Sequence, residues 1–244
     1  MTKNPEDLKN KRITIMGLGL NQGGLGVARF LAKAGAKILV TDLKTKEELE
    51  PSLEKLKSFD VKYILGQHRE KDFINTDMVI QNPAVPYNSK YLKIAQKHKI
   101  PIKTDLDLFF QLCSSKNIIA VAGTKGKSTV SQIIYHIFKE AQKDTILAGN
   151  IGISVLDVLE KINPQTWVIL EISTWQMEGI KDHKFRPQTG VLTNILPDHL
   201  DRYPNYKEYA RSEKLIFKHQ SPNVNLVVNY ADKETIKIKP LTSG

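Results

Sequence analysis

The chain has 244 residues, of which 41% are hydrophobic and 25% charged, so it reads as an ordinary globular protein long enough for two domains. A single cysteine, Cys113, excludes an intrachain disulfide, the polar opening residues predict no signal peptide, and no apolar run is long enough to cross a bilayer. The formal net charge of +10 suits acidic ligands such as nucleotides, but the lysines are scattered and no aromatic-interleaved basic motif occurs. No nucleic-acid partner and no membrane insertion are expected, and the expected location is the cytoplasm.

Arg12–Met16 predicts the first strand. A glycine loop follows, Gly17-Leu-Gly19-Leu-Asn-Gln-Gly23-Gly24-Leu-Gly26, and then a helix from about Gly24 to Ala34. The loop approaches the dinucleotide pattern G-x-G-x-x-G but carries Gln22 at the third glycine position. Asp42 ends the next strand, Lys37–Thr41, where an acid of that fold would hold a ribose. A tight βα turn without a ligand is the alternative. The lengthened loop favours a nucleotide diphosphate over a nicotinamide cofactor.

A charged helix is predicted over Lys46–Ser58, with further strands at Lys62–Leu65, Met78–Gln81 and Pro101–Lys103. This β-α-β alternation argues for a parallel sheet covered by helices on both faces. Asp105–Cys113 predicts a short helix and Ser114–Asn117 a polar break. The boundary is placed near Thr104, giving domains 1–104 and 105–244. The second domain has predicted strands at 118–122, 145–148, 167–171, 189–193 and 224–229.

Ile119–Val130 reads Ile-Ala-Val-Ala-Gly-Thr-Lys-Gly-Lys-Ser-Thr-Val, a strand running through a glycine loop into an amphipathic helix that continues with Ile133, Ile134, Ile137 and Phe138. Unpaired N–H groups at a helix start attract anions, which suits a phosphate loop. Gly123, Thr124, Lys125 and Gly126 would line the phosphates and Lys127 would reach the outer ones, with Ser128 or Thr129 on Mg²⁺. The general pattern wants a glycine where Val121 stands, so an ordinary βα turn containing Gly-Lys-Ser is the alternative.

Asn150, Glu171, Asn194 and His199 all fall at predicted strand ends, and Lys214 falls on a predicted helix Tyr206–Lys218. Ligands of open α/β sheets bind at those ends. Singly, Glu171 reads as a surface carboxylate, His199 as a cap beside Asp198, and Lys214 as a solvated charge. Together, after a phosphate loop, a carboxylate and an imidazole suit Mg²⁺ coordination.

The set resembles the Mur ligase family, and within it the D-glutamate-adding members. The residues carrying the likeness are the loop Gly123–Ser128, the Gly-Asn-Ile-Gly turn Gly149–Gly152, Glu171–Glu178, Asn194–Pro204 and Lys214. Lys125 departs from the usual asparagine or histidine, and the first loop is longer than usual. The resemblance implies a Rossmann-like first domain binding a UDP-linked substrate and an incomplete central domain binding ATP. It implies an ATP-dependent ligase, a monomer, joining D-glutamate to UDP-N-acetylmuramoyl-L-alanine through an acyl phosphate. Lys127, Glu171, His199 and Lys214 would be catalytic. Ser128, Glu171, His199 and a carbamylated Lys214 would hold Mg²⁺, and Asn194 would join the ATP site. Leu20, Asn21, Asp42, Lys44, Asn150, Ser173 and Gln176 would contact the UDP-linked substrate. A folylpolyglutamate-synthase-like ligase and a non-catalytic nucleotide-binding module are the rival readings. The chain stops soon after a strand, so it is expected to be a fragment and inactive alone.

Overall fold

Short, almost wholly apolar runs set the first sheet. Its strands are β1 (Arg12–Met16), β2 (Lys37–Asp42), β3 (Val61–Leu65), β4 (Met78–Gln81) and β5 (Ile102–Lys103), all parallel in the order β3-β2-β1-β4-β5. Ile13 through Met16 are all buried, as expected of a central parallel strand covered on both faces. The helices are α1 (Gln22–Lys33), α2 (Lys46–Glu54), α3 (Lys90–Lys97) and α4 (Asp105–Leu112). The chain pairs β1 with β2 on one side and with β4 on the other, so the winding reverses at β1.

The second sheet repeats this logic. Its strands β6 (Ile118–Ala122), β7 (Thr145–Gly149), β8 (Trp167–Glu171), β9 (Thr189–Leu192) and β10 (Asn225–Val228) are parallel in the order β10-β9-β6-β8-β7. All five residues of β6 are buried. The helices are α5 (Lys127–Glu140), α6 (Thr174–Gly179) and α7 (Tyr206–Glu213). Here the winding reverses at β6, between β8 and β9.

The computed structural model describes residues 4–20, 22–180, 187–218 and 224–238. By contact it divides into two units, Met1–Leu112 with Ser154–Glu160, and Cys113–Ile153 with Lys161–Gly244. Helix α4 and the piece 154–160 therefore group with the first unit. Among the described residues no helix is long and apolar enough to cross a membrane.

Several element limits differ from the sequence expectation. The charged helix stops at Glu54 rather than Ser58: Thr45 caps its start, Pro51 lies inside it without an N–H to donate, and Leu56 and Phe59 turn back onto Leu53 and Leu56. Helix α3 was not foreseen, because its apolar face is brief and set among lysines; Leu92 and Ala95 pack on Met16, Phe73 and Val79. The last predicted helix splits. Helix α7 ends at Glu213 and Lys214–Phe217 tightens into a 3₁₀ turn, so Lys214 sits at a junction instead of mid-helix. Along α5, Ile133 and Ile137 are 53% and 60% exposed, so its apolar face is only partly covered.

In the first unit the His68 ring packs edge-on against Phe73 and Tyr91, with its Nδ1 2.7 Å from Thr41 Oγ1. Burial pushes its pKa below the usual histidine value, more strongly than Asp42 and Asp72 pull it up. The folded state thus holds fewer protons on this ring than the unfolded chain. Its contribution to stability is full above the unfolded pKa, near 6.5, and is lost as pH falls from there through the lower folded value. Urea unfolding of the first unit followed at pH 8 and pH 5.5 should show this loss, and His68→Gln should shrink it. Equal pH sensitivity in the two proteins would contradict the assignment.

Candidate active site

The turn after β6 lies at the reversal point of the second sheet. Gly123 takes φ 121°, and a Cβ there would overlap Thr193 Oγ1. Gly126 caps α5 in the left-handed region, and Ser128 and Thr129 follow in the exposed first turn. Lys127 Nζ donates to Gly123 O at 2.7 Å and Thr124 O at 3.0 Å, so the ammonium folds over the loop it belongs to. Phosphate oxygens could replace those neutral acceptors with charged ones.

Residues after β9 pin the loop from outside. The Asn194 side chain accepts from Lys125 N at 3.0 Å and donates to Lys125 O at 3.0 Å, while Thr193 Oγ1 donates to Lys125 O at 2.7 Å. Thr124 N donates to Asn194 O at 3.0 Å. Asn194 thus grips the loop peptide with both halves of its amide. The Lys125 ammonium pairs with Asp198 Oδ2 at 3.2 Å. Asp198 is held below the usual carboxylate range first by the His199 N–H and then by Lys125.

Glu171 closes β8 and is 1% exposed. Asn150 Nδ2 donates to its Oε1 at 2.9 Å, whereas its Oε2 is buried and has no hydrogen-bond partner among the described residues. Gly149 allows this approach, because at φ 107° a Cβ would overlap Glu171 O. Mg²⁺ prefers oxygen ligands and few protein contacts, so a buried carboxylate oxygen without a donor beside a phosphate loop fits it. Among the described residues no group of three His, Cys, Asp or Glu side chains forms a cage for a metal.

The remaining predicted residues fall into place unevenly. His199 is exposed at φ 51°, with its ring 5.1 Å from Trp175 and 6.2 Å from Tyr209. Ser173 and Gln176 cap α6 reciprocally, the Gln176 N–H donating to Ser173 Oγ at 3.3 Å. Lys214 Nζ pairs with Glu234 Oε2 at 3.2 Å, so its charge meets a carboxylate rather than the neighbouring cations.

The first sheet has its own cleft at its reversal point, about 410 Å³, lined by Gly17, Gly19, Asp42, Lys44, Asn82 and Tyr91 among others. This size suits a small ligand. Asp42 is buried there and already engaged: its carboxylate accepts from Leu18 N, Gly19 N and Lys44 N at 2.8, 3.1 and 2.9 Å. It shapes the glycine loop. Lys44 Nζ reaches Glu48 at 3.3 Å, Leu20 is 53% exposed, and Asn21 lies outside the described residues. A larger hollow, about 960 Å³, opens at the amino ends of β1–β3, beside the end of α1, which is the wrong end of a parallel sheet for phosphate binding.

The motif order and this geometry have counterparts in known proteins. Residues 121–242 match the model of the Mur ligase middle domain, and residues 11–104 that of the Mur ligase MurD-like N-terminal domain. The chain belongs to the Mur ligase family. It is 40% identical over 230 residues to the UDP-N-acetylmuramoylalanine--D-glutamate ligase of Roseiflexus sp. (strain RS-1), covering 94% of this chain and 49% of that one. The ligase of the same name from Borreliella burgdorferi (strain ZS7) is 40% identical over 229 residues, covering 93% and 49%. The chain spans about half the length of these curated relatives. Among solved structures, the UDP-N-acetylmuramate:L-alanyl-gamma-D-glutamyl-meso-diaminopimelate ligase from Neisseria meningitides superposes with a TM-score of 0.63 at 16% identity, over 92% of this chain and 73% of that one. That likeness concerns the fold. The match of the first unit to this family's N-terminal model weighs against a folylpolyglutamate-synthase-like ligase.

Sequence reasoning missed the polar network beneath the loop, made by Thr174, Tyr209 and Glu213. A signal existed: Tyr209 and Glu213 stand four apart on one helix, the spacing of facing side chains. The loop geometry yields a direct expectation. Gly123→Ala should displace Thr193 or the loop and lower MgADP affinity at least tenfold in calorimetric titration. Unchanged affinity would contradict the close approach as the basis of the site.

Proposed function

We propose that the chain supplies the substrate- and ATP-binding domains of an ATP-dependent ligase that joins D-glutamate to UDP-N-acetylmuramoyl-L-alanine in peptidoglycan precursor synthesis. The observation that carries this reading is the phosphate loop at the reversal of the second sheet, with Lys127 over it and Glu171 buried beside it. The names of the curated relatives agree with it. Residues 1–104 carry the UDP-substrate site and 105–244 the ATP site of a cytoplasmic monomer, although helix α4 and residues 154–160 group by contact with the first unit.

A carboxylate is a poor acyl donor, and phosphorylation gives it a good leaving group. The loop N–H groups and Lys127 hold the triphosphate so that its terminal phosphoryl group faces the substrate carboxylate. The carboxylate oxygen attacks phosphorus and ADP leaves. The amine of D-glutamate then attacks the acyl carbon, loses a proton, and releases inorganic phosphate as the amide forms. Mg²⁺, when bound, neutralises charge on the phosphates. Ser128 or Thr129 and Glu171 would hold one ion, with Asn150 orienting Glu171. His199 and Lys214 would hold a second, Lys214 as a carbamate made from its neutral amine and CO₂ with loss of a proton. That step requires the ion pair with Glu234 to open. The first-unit cleft takes the uridine diphosphate, with Asp42 setting the loop.

In the full-length protein, phosphate release should require ATP, Mg²⁺, UDP-N-acetylmuramoyl-L-alanine and D-glutamate together, and Lys127→Ala should abolish it. Release with a folate in place of the UDP substrate would overturn the reading. Lys214→Ala should lose most activity and regain part of it with acetate, which supplies the missing oxygen ligand. Normal turnover in that variant without added acid would remove the carbamate role.

A further inference from the structure

Glu213 ends α7, is 0% exposed, and has no part in the chemistry above. Its Oε1 accepts from Thr174 Oγ1 at 2.7 Å and from Tyr209 Oη at 2.8 Å. Its Oε2 is buried without a hydrogen-bond partner among the described residues. Tyr209, itself 1% exposed, also lies 2.8 Å from Thr124 Oγ1. Thr124 Oγ1 in turn accepts from Leu196 N at 2.9 Å.

A tyrosine hydroxyl has one proton, and a carboxylate can only accept. With that proton given to Glu213, Tyr209 Oη is left as an acceptor 2.8 Å from the Thr124 hydroxyl, nearer than that hydroxyl's other acceptor, Leu196 O at 3.2 Å. One buried oxygen therefore takes the protons of Thr174 and Tyr209 and leaves Tyr209 Oη as an acceptor toward Thr124. The segments it ties are those that carry the chemistry. Thr124 belongs to the loop whose carbonyls hold Lys127. Leu196 lies in the segment leading to His199, Thr174 follows the β8 end with Glu171, and Lys214 is the next residue after Glu213. The Lys127 ammonium and the Gly123 backbone lie close enough to favour the charged form of Glu213, although burial wins and holds its pKa above the usual carboxylate range.

Burying a half-satisfied carboxyl destabilises a fold unless something is gained. We propose that Glu213 is a positioning residue for the phosphate loop, acting through Tyr209 on Thr124 to hold the loop carbonyls and Lys127 in the geometry that receives a nucleotide. This rests on the loop binding nucleotide phosphates, and it adds a residue outside the loop that sets how well it does so.

The test is titration of the chain with MgADP, well below the unfolding transition of every variant. Tyr209→Phe keeps the ring and removes the bridging hydroxyl, and should weaken MgADP about tenfold, as should Glu213→Ala. The double variant should be no weaker than about twofold below either single one, because both act through one chain of bonds. Glu213→Gln keeps an acceptor oxygen at Oε1 and should restore affinity to within about threefold of the native chain. A purely structural role would instead lower the thermal midpoint in all variants and leave MgADP affinity untouched. Affinity within twofold of native in Tyr209→Phe would overturn the proposal, as would full additivity in the double variant. The native chain and Lys127→Ala serve as controls. A native chain that binds no MgADP, or binds it equally with Lys127→Ala, would overturn the reading of the loop itself and the proposal with it.

Discussion

In a parallel sheet wound outward in two directions from one strand, the connections on either side of that strand part company at its carboxyl end. They leave a cleft there, floored by strand ends and faced by helix starts. Both units of this chain are built on that constraint, at β1 and at β6. Both use glycines where the chain must turn sharply and approach other backbone closely. The positions of the candidate binding groups follow from winding rather than from their separations in sequence. Lys127, Asn150, Glu171 and Asn194 span many residues of chain, yet all stand at carboxyl ends of strands in one sheet.

The second site is held by polar groups, two of them shut off from water. Asn194 grips the loop by both halves of its amide. Two carboxyl groups, Glu171 and Glu213, are almost wholly buried, each with one oxygen paired and one without a partner among the described residues. They differ in what surrounds them. Glu171 receives one amide on one oxygen and has no donor on the other among the described residues, whereas Glu213 receives two hydroxyls, from Thr174 and from Tyr209, the second of which also lies beside Thr124 of the loop. The first cleft is simpler, its loop shaped by three backbone N–H groups converging on Asp42.

Much of this was legible in the sequence because parallel strands announce themselves. Covered on both faces, β1, β2, β6 and β8 read as continuous apolar runs, and the glycine loops after β1 and β6 mark the turns. What the sequence hid has physical reasons. Helix α3 has too few apolar positions to stand out, and no local pattern reports the bonds from α7 to Thr174 through Glu213 and to Thr124 through Tyr209. Residue type named Asp42, Asn150 and Asn194 as site residues, but not their tasks. Residue type predicts a ligand contact for each, whereas each has side-chain oxygens or nitrogens committed to neighbouring protein groups. Glu213 gives no sequence signal of its own, because a glutamate in a charged helix normally faces solvent.

The central claim is that one chain carries two separate nucleotide-directed clefts, one at each reversal of winding. Amide hydrogen exchange tests it most directly, with UDP and MgADP added one at a time. The account predicts that UDP slows exchange at residues 17–20 and 42–44 and leaves the phosphate loop unchanged, while MgADP slows residues 123–130 and leaves the first cleft unchanged. Protection of both regions by MgADP alone, or protection of the first cleft by NADH but not by UDP, would contradict it.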